Sequence, residues 1–99
     1  PAPDQLHGPV VNRCAGDGLA RRIVDLDLEL ESAVVHVEIP ADTQALKQAD
    51  LTLALDWRLQ TRLIFETYLA RGYVVTDLLR IATTDGWRPF YSLQKESAR

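Results

Sequence analysis

The sequence contains no methionine and a single cysteine, Cys14, so no intrachain disulfide can staple it. Neither His7 nor His36 stands at a spacing that would build a zinc site with that thiol, and no metal is expected. No apolar run approaches the ~20 residues that span a bilayer, and no charged-then-apolar leader opens the sequence. The expectation is a cytoplasmic chain in a reducing compartment, with no membrane partner. Basic charge is not in excess either, since 11 Lys and Arg stand against 14 Asp and Glu for a net charge of −3. Without a broad positive field to draw in phosphate backbones, nucleic acid is not an expected partner. Internal repeats and low-complexity tracts are lacking as well.

What is present suffices for one small domain: 99 residues, 46% of them hydrophobic. The chain opens on proline instead of methionine, which raises the expectation that it is a piece of a longer protein. Three prolines and three glycines fall within Pro1 to Gly18, so residues 1–20 read as a flexible arm or linker, and residues 21–99 as a small α+β domain.

From Ile23 the pattern turns to period two. Val24, Leu26, Leu28 and Leu30 alternate with Asp25, Asp27 and Glu29, as in a strand with one wet, acidic face. Val34 to Ile39 forms a second strand with Val35, Val37 and Ile39 on one side, and Pro40 ends it. His36 and Glu38 share the other side, as a solvated strand surface or as an acid–base pair. Asp42 is placed to cap a short helix and Asp50 a longer one, which Gly72 closes with a left-handed residue. Tyr73 to Arg80 and Phe90 to Gln94 are β-like and flank turn chemistry at Thr83 to Gly86, with Pro89 at a strand entrance or on an edge. The expected fold is a small, mostly antiparallel sheet with one short and one long helix on one face, in the order β-β-α-α-β-β.

A helical wheel of Leu51 to Arg71 shows two apolar arcs: Leu51, Leu55, Leu59 and Leu63 on one, and Leu53, Trp57, Ile64 and Tyr68 on the other. Asp56, Gln60 and Thr67 fall on the wet side. Arg58, Arg62 and Glu66 line up at four-residue spacing beside the leucines. They serve either as snorkelling side chains with a helical Arg62–Glu66 ion pair, or as planar forks for an anionic group of a ligand or of a preceding domain. Trp57 and Trp87 read as packing or interface anchors, with Trp57 a candidate substrate contact beside Arg58 and Arg62.

Val37-Glu38-Ile39-Pro40-Ala41-Asp42-Thr43-Gln44-Ala45-Leu46-Lys47 leads to Asp56-Trp57-Arg58, Thr61-Arg62, Phe65, Gly72-Tyr73 and Phe90-Tyr91-Ser92-Leu93. Over roughly residues 33–94 this string resembles the C-terminal region of predicted acetyltransferases of the GNAT superfamily. The resemblance implies acetyl transfer from acetyl-CoA to an amine, with acetyl-CoA bound by an N-terminal domain of the same protein. It also implies that this portion is inactive alone. Two short motifs bear on it. Arg13-Cys14-Ala15-Gly16-Asp17-Gly18 matches the R-x-x-G-x-G cradle that such enzymes use for the pyrophosphate of coenzyme A, but it leads into a strand instead of a helix and sets Asp17 beside the phosphate. Tyr68-Leu69-Ala70-Arg71-Gly72-Tyr73 resembles the helix end at which a tyrosine protonates the departing thiolate, making Tyr68 the candidate catalytic acid. The alternative is a non-catalytic interaction or dimerisation module, forming a homodimer or docking a partner through the long helix and the Trp87 hairpin.

Overall fold

Strand β3 (Val34–Glu38) is the hub, because both of its edges and both of its faces are occupied. The computed structural model describes residues 6–84 and 86–96. Strands β1 (Asn12–Ala15) and β2 (Arg22–Leu26) flank a single 3-10 turn at Gly18–Ala20. After β3 come helices α1 (Thr43–Ala49) and α2 (Leu51–Ala70), then strands β4 (Tyr73–Thr83) and β5 (Gly86–Lys95). All the strands pair antiparallel, β1 with β2 in one sheet and in the order β3-β5-β4 in the other. The fold is α+β, as the sequence pattern implies.

Local chemistry sets the helices as expected. The Asp42 carboxylate accepts the Ala45 N–H at 2.9 Å, and the Asp50 carboxylate accepts the Leu53 N–H at 3.0 Å. Gly72, at φ 95°, reverses the chain after α2. β5 continues past the end of β3 to Pro89, whose carbonyl still accepts the Ile39 N–H at 3.1 Å. The β4–β5 hairpin is longer than the two apolar runs suggest; its turn includes Asp85, outside the described residues.

The proline- and glycine-rich start is not merely an arm. Pro1 to Gln5 lie outside the described residues, but Val11 is buried in the main core and Val10 bridges His36 in parallel. The His36 N–H donates to Pro9 O at 2.9 Å, and the Val11 N–H donates to His36 O at 2.8 Å. Asn12 continues the ladder with its side chain, accepting the Glu38 N–H and donating to Glu38 O, both at 2.8 Å. Gly8 permits this approach, since a Cβ there would sit 2.2 Å from Val34 O. A short apolar pair, Val10-Val11, thus seals an edge that composition alone reads as linker.

The acidic strand is also corrected. Its pairing with β1 slips between Arg13 and Cys14, leaving Val24 unpaired. One extra residue flips the side-chain parity, so Ile23 turns inward and Val24 outward. β2 then stops at Leu26, and the Asp27 carboxylate accepts the Glu29 N–H to start a turn.

Two apolar clusters meet under α2. One joins Val11, Val35, Val37 and Leu93 to Ile64, Tyr68 and Tyr73; the other joins Ile23 and Leu46 to Ala54 and Trp57. Of the two arcs of α2, the aromatic one faces the sheet. Leu51, Leu55, Leu59 and Leu63 are 45–63% exposed.

Candidate functional site

Each residue marked from sequence has a definite place. Tyr68 is fully buried; its hydroxyl donates to Asp27 O at 2.7 Å and accepts the Leu30 N–H at 3.1 Å. Burial pushes the phenol above its ordinary range, and the Leu30 amide and the Arg71 guanidinium only partly offset it. The proton of the phenol is committed to a backbone carbonyl, and the ring packs within the main core. Gly72 folds the chain back so that Tyr73 meets Tyr68 edge-on at 5.1 Å, and the Arg71 guanidinium lies 5.0 Å from the Tyr68 ring centre. Arg71 donates to Leu28 O and Leu30 O, and the Tyr73 hydroxyl donates to Ser32 O. Tyr68, Arg71 and Tyr73 therefore clasp residues 27–32, a loop with few backbone partners of its own. The sequence signal was the motif itself, read for catalysis.

Trp57 is buried, and its indole N–H donates to Arg21 O at 3.0 Å. It is shared by two cavities. A smaller one, of about 220 Å³, is lined by Arg21, Glu38, Leu46, Trp57, Trp87 and Arg88. A larger groove, of about 380 Å³, runs between α1, α2 and the sheet past Lys47, Leu51, Leu55, Arg58, Phe65 and Tyr91. The structure thus brings Trp57 and Arg58 to one groove. Arg62 stands outside its lining, paired to Glu66 at 3.1 Å with both side chains more than 60% exposed. That pair is worth about 0.3–0.5 kcal/mol.

His36 and Glu38 are both buried, and neither a wet face nor an acid–base pair results. The Glu38 carboxylate takes Arg21 in a two-pronged pair, with Arg21 Nη2 at 2.9 Å from Oε1 and Nε against Oε2. His36 Nε2 accepts the His7 N–H at 3.1 Å, so the ring proton resides on Nδ1, which faces Ser92 Oγ at 3.0 Å. The imidazole is then a donor to the serine, the wrong way round for a base that activates it.

Burial, aided by His7, depresses the His36 pKa from 6.5. The folded state therefore binds fewer protons than the unfolded state as pH falls through 6.5, and this contribution to stability is complete above 6.5 and lost below it. The urea midpoint is expected to fall between pH 7.5 and 5.5, and His36→Gln to flatten the difference; an unchanged slope in the variant contradicts this.

The first half of the Arg13 to Gly18 stretch lies within β1, and its end runs into the 3-10 turn Gly18–Ala20, too short to orient a helix end toward phosphate. Gly16 O accepts a hydrogen bond from Arg21 Nη1, and the Asp17 carboxylate lies 3.7 Å from Arg88. Burial first, then Glu38, push the Cys14 thiol up to about 12, which keeps it un-ionised and poorly nucleophilic at neutral pH. Among the described residues no cluster of three or more metal-ligating side chains occurs, and no helix is long and apolar enough to cross a membrane. Comparison with protein-family models, curated proteins and solved structures finds no match to this chain.

Proposed function

We propose that this chain is a non-catalytic interaction module. The observation that carries the reading is the row Leu51, Leu55, Leu59 and Leu63, held in solvent on a helix capped at both ends and anchored by its opposite face. Scattered exposed leucines are ordinary; four in one helical row form a contiguous apolar patch of the kind that marks association surfaces. The groove beside it adds Arg58, with no ion-pair partner among the described residues, at its rim.

A second reading places this module in the C-terminal portion of a GNAT-like N-acetyltransferase. It is favoured by the run of strand, short helix, long helix and hairpin from Val34 to Lys95, the order on which the sequence resemblance rests. In that setting acetyl-CoA is held by an N-terminal domain of the same protein, while Arg58 and Arg62 face that domain instead of a substrate. Both readings expect the chain by itself to be inert. Calorimetric titration with acetyl-CoA is expected to give no binding heat, and acetyl-CoA with a primary amine to release no free thiol above the uncatalysed rate. Micromolar binding overturns the non-catalytic reading and returns the Arg13–Gly18 loop to consideration.

A further inference from the structure

The sheet β3-β5-β4 has one helix on one face, and that helix is too narrow for it. An α-helix about 10 Å across covers roughly two strands spaced ~4.8 Å apart. Ile64 and Tyr68 settle on Val35, Val37 and Leu93, and Phe65 meets Tyr91 edge-on at 5.6 Å, so α2 covers β3 and β5. The register sets Val75 opposite Leu93 and Leu78 opposite Tyr91, on the same face as the helix. Both are 47% exposed, and Arg80 and Ala82 further along that face are exposed too. Half of the sheet face lacks its second layer.

The exposed surface of α2 has the matching shape. Helical geometry places Leu59 and Leu63 on the side away from its own sheet, and Leu51, Leu55 and Leu69 on the flank toward the bare β4 face. We infer, as a deepening of the interaction-module reading, that the partner is a second copy of this chain. In this dimer each α2 lies antiparallel beside the other on a two-fold axis, and each covers the other's β4. The leucine flanks meet between the helices, while Leu59 and Leu63 reach Val75 and Leu78 of the second copy. Lengths agree: α2 has 20 residues, roughly 30 Å, and β4 has 11, roughly 36 Å.

Area and shape favour a copy of the same chain over a different partner. An isologous contact requires a self-complementary surface. The seven half-exposed aliphatics Leu51, Leu55, Leu59, Leu63, Leu69, Val75 and Leu78 offer on the order of 600 Å² per copy. With the arginine stems this approaches the ~800 Å² per partner of a standard interface.

Sedimentation equilibrium of the full chain, from about 1 µM to 1 mM, is expected to show a species of twice 11.1 kDa. Leu59→Glu and Leu78→Glu, on different elements and both in solvent in the monomer, are each expected to weaken association about 100-fold. Circular dichroism of the dilute variants should remain that of the parent. A monomer at every concentration overturns the assembly, as does a dimer indifferent to both leucine changes, which would signal pairing along the β4 edge. A monomer that also ignores acetyl-CoA sinks the assembly alone and leaves the module reading intact; acetyl-CoA binding sinks the module reading, with the assembly still decided in the centrifuge.

Discussion

Replacing Arg21 with Met is expected to destabilise the chain by about 3–5 kcal/mol, while pairing it with Glu38→Leu recovers most of that loss. The Glu38 side chain is only 4% exposed and the Arg21 side chain 17%. In the single variant the carboxylate keeps its burial and loses both prongs of its partner, so the penalty is the desolvation of an uncompensated charge. In the double variant neither charge is buried, and two apolar chains occupy a region already walled by Leu46, Trp57 and Pro89. Arg21 also donates to Gly16 O, and its own carbonyl receives the Trp57 indole, so the pair links the 3-10 turn, β3 and α2. For a domain of this size each kcal/mol moves the midpoint by roughly 4–8 °C, which puts the single variant more than 10 °C below the parent. A double variant as unstable as Arg21→Met would show that the fold needs the ion pair itself rather than the absence of a stranded charge.

Much of the fold was legible in the sequence because its signals are local. Asp42, Asp50 and Gly72 act within one turn of their own position, and both helices begin and end where those residues put them. The burial of Val35 and Val37 follows from alternation. The errors share a different physics. Val10-Val11 looks like linker until β3 supplies an edge for it, and the Ile23 to Leu30 alternation breaks at a bulge imposed by β1, which no period within the segment encodes. The wheel of α2 offers two apolar arcs. Choosing between them required knowing that Trp57 and Tyr68 find carbonyl partners at Arg21 and Asp27, which the leucines cannot use. The candidate site divides in the same way. Trp57 and Arg58, one residue apart, do share a groove, whereas the role of Tyr68 depends on a loop about 40 positions upstream.

Tyr68→Ala is expected to cost about 3–5 kcal/mol, and Tyr68→Phe about 1–3 kcal/mol, with neither change touching any chemistry. The phenyl ring fills the space between Ile64 and Tyr73 in the main cluster, so truncation to alanine opens a cavity beneath α2 and removes the edge contact with Tyr73. The phenylalanine variant keeps the ring and isolates the hydroxyl. What it loses is a donor to Asp27 O and an acceptor for the Leu30 N–H, leaving that amide short of a partner where the loop packs down. The two variants should also differ in how they fail. Tyr68→Ala is expected to lower the global unfolding midpoint seen by circular dichroism. Tyr68→Phe is expected to loosen residues 27–32 first, because Arg71 and Tyr73 continue to hold Leu28 O, Leu30 O and Ser32 O but no longer have the central hook between them. Amide hydrogen exchange at Leu30 is the sensitive probe, and faster exchange there with near-parental protection in α2 is the expected pattern. If Leu30 exchanges at the parental rate in Tyr68→Phe, the hydroxyl contributes nothing to the clasp, and the tyrosine at this position would need another explanation than the one its hydrogen bonds give it.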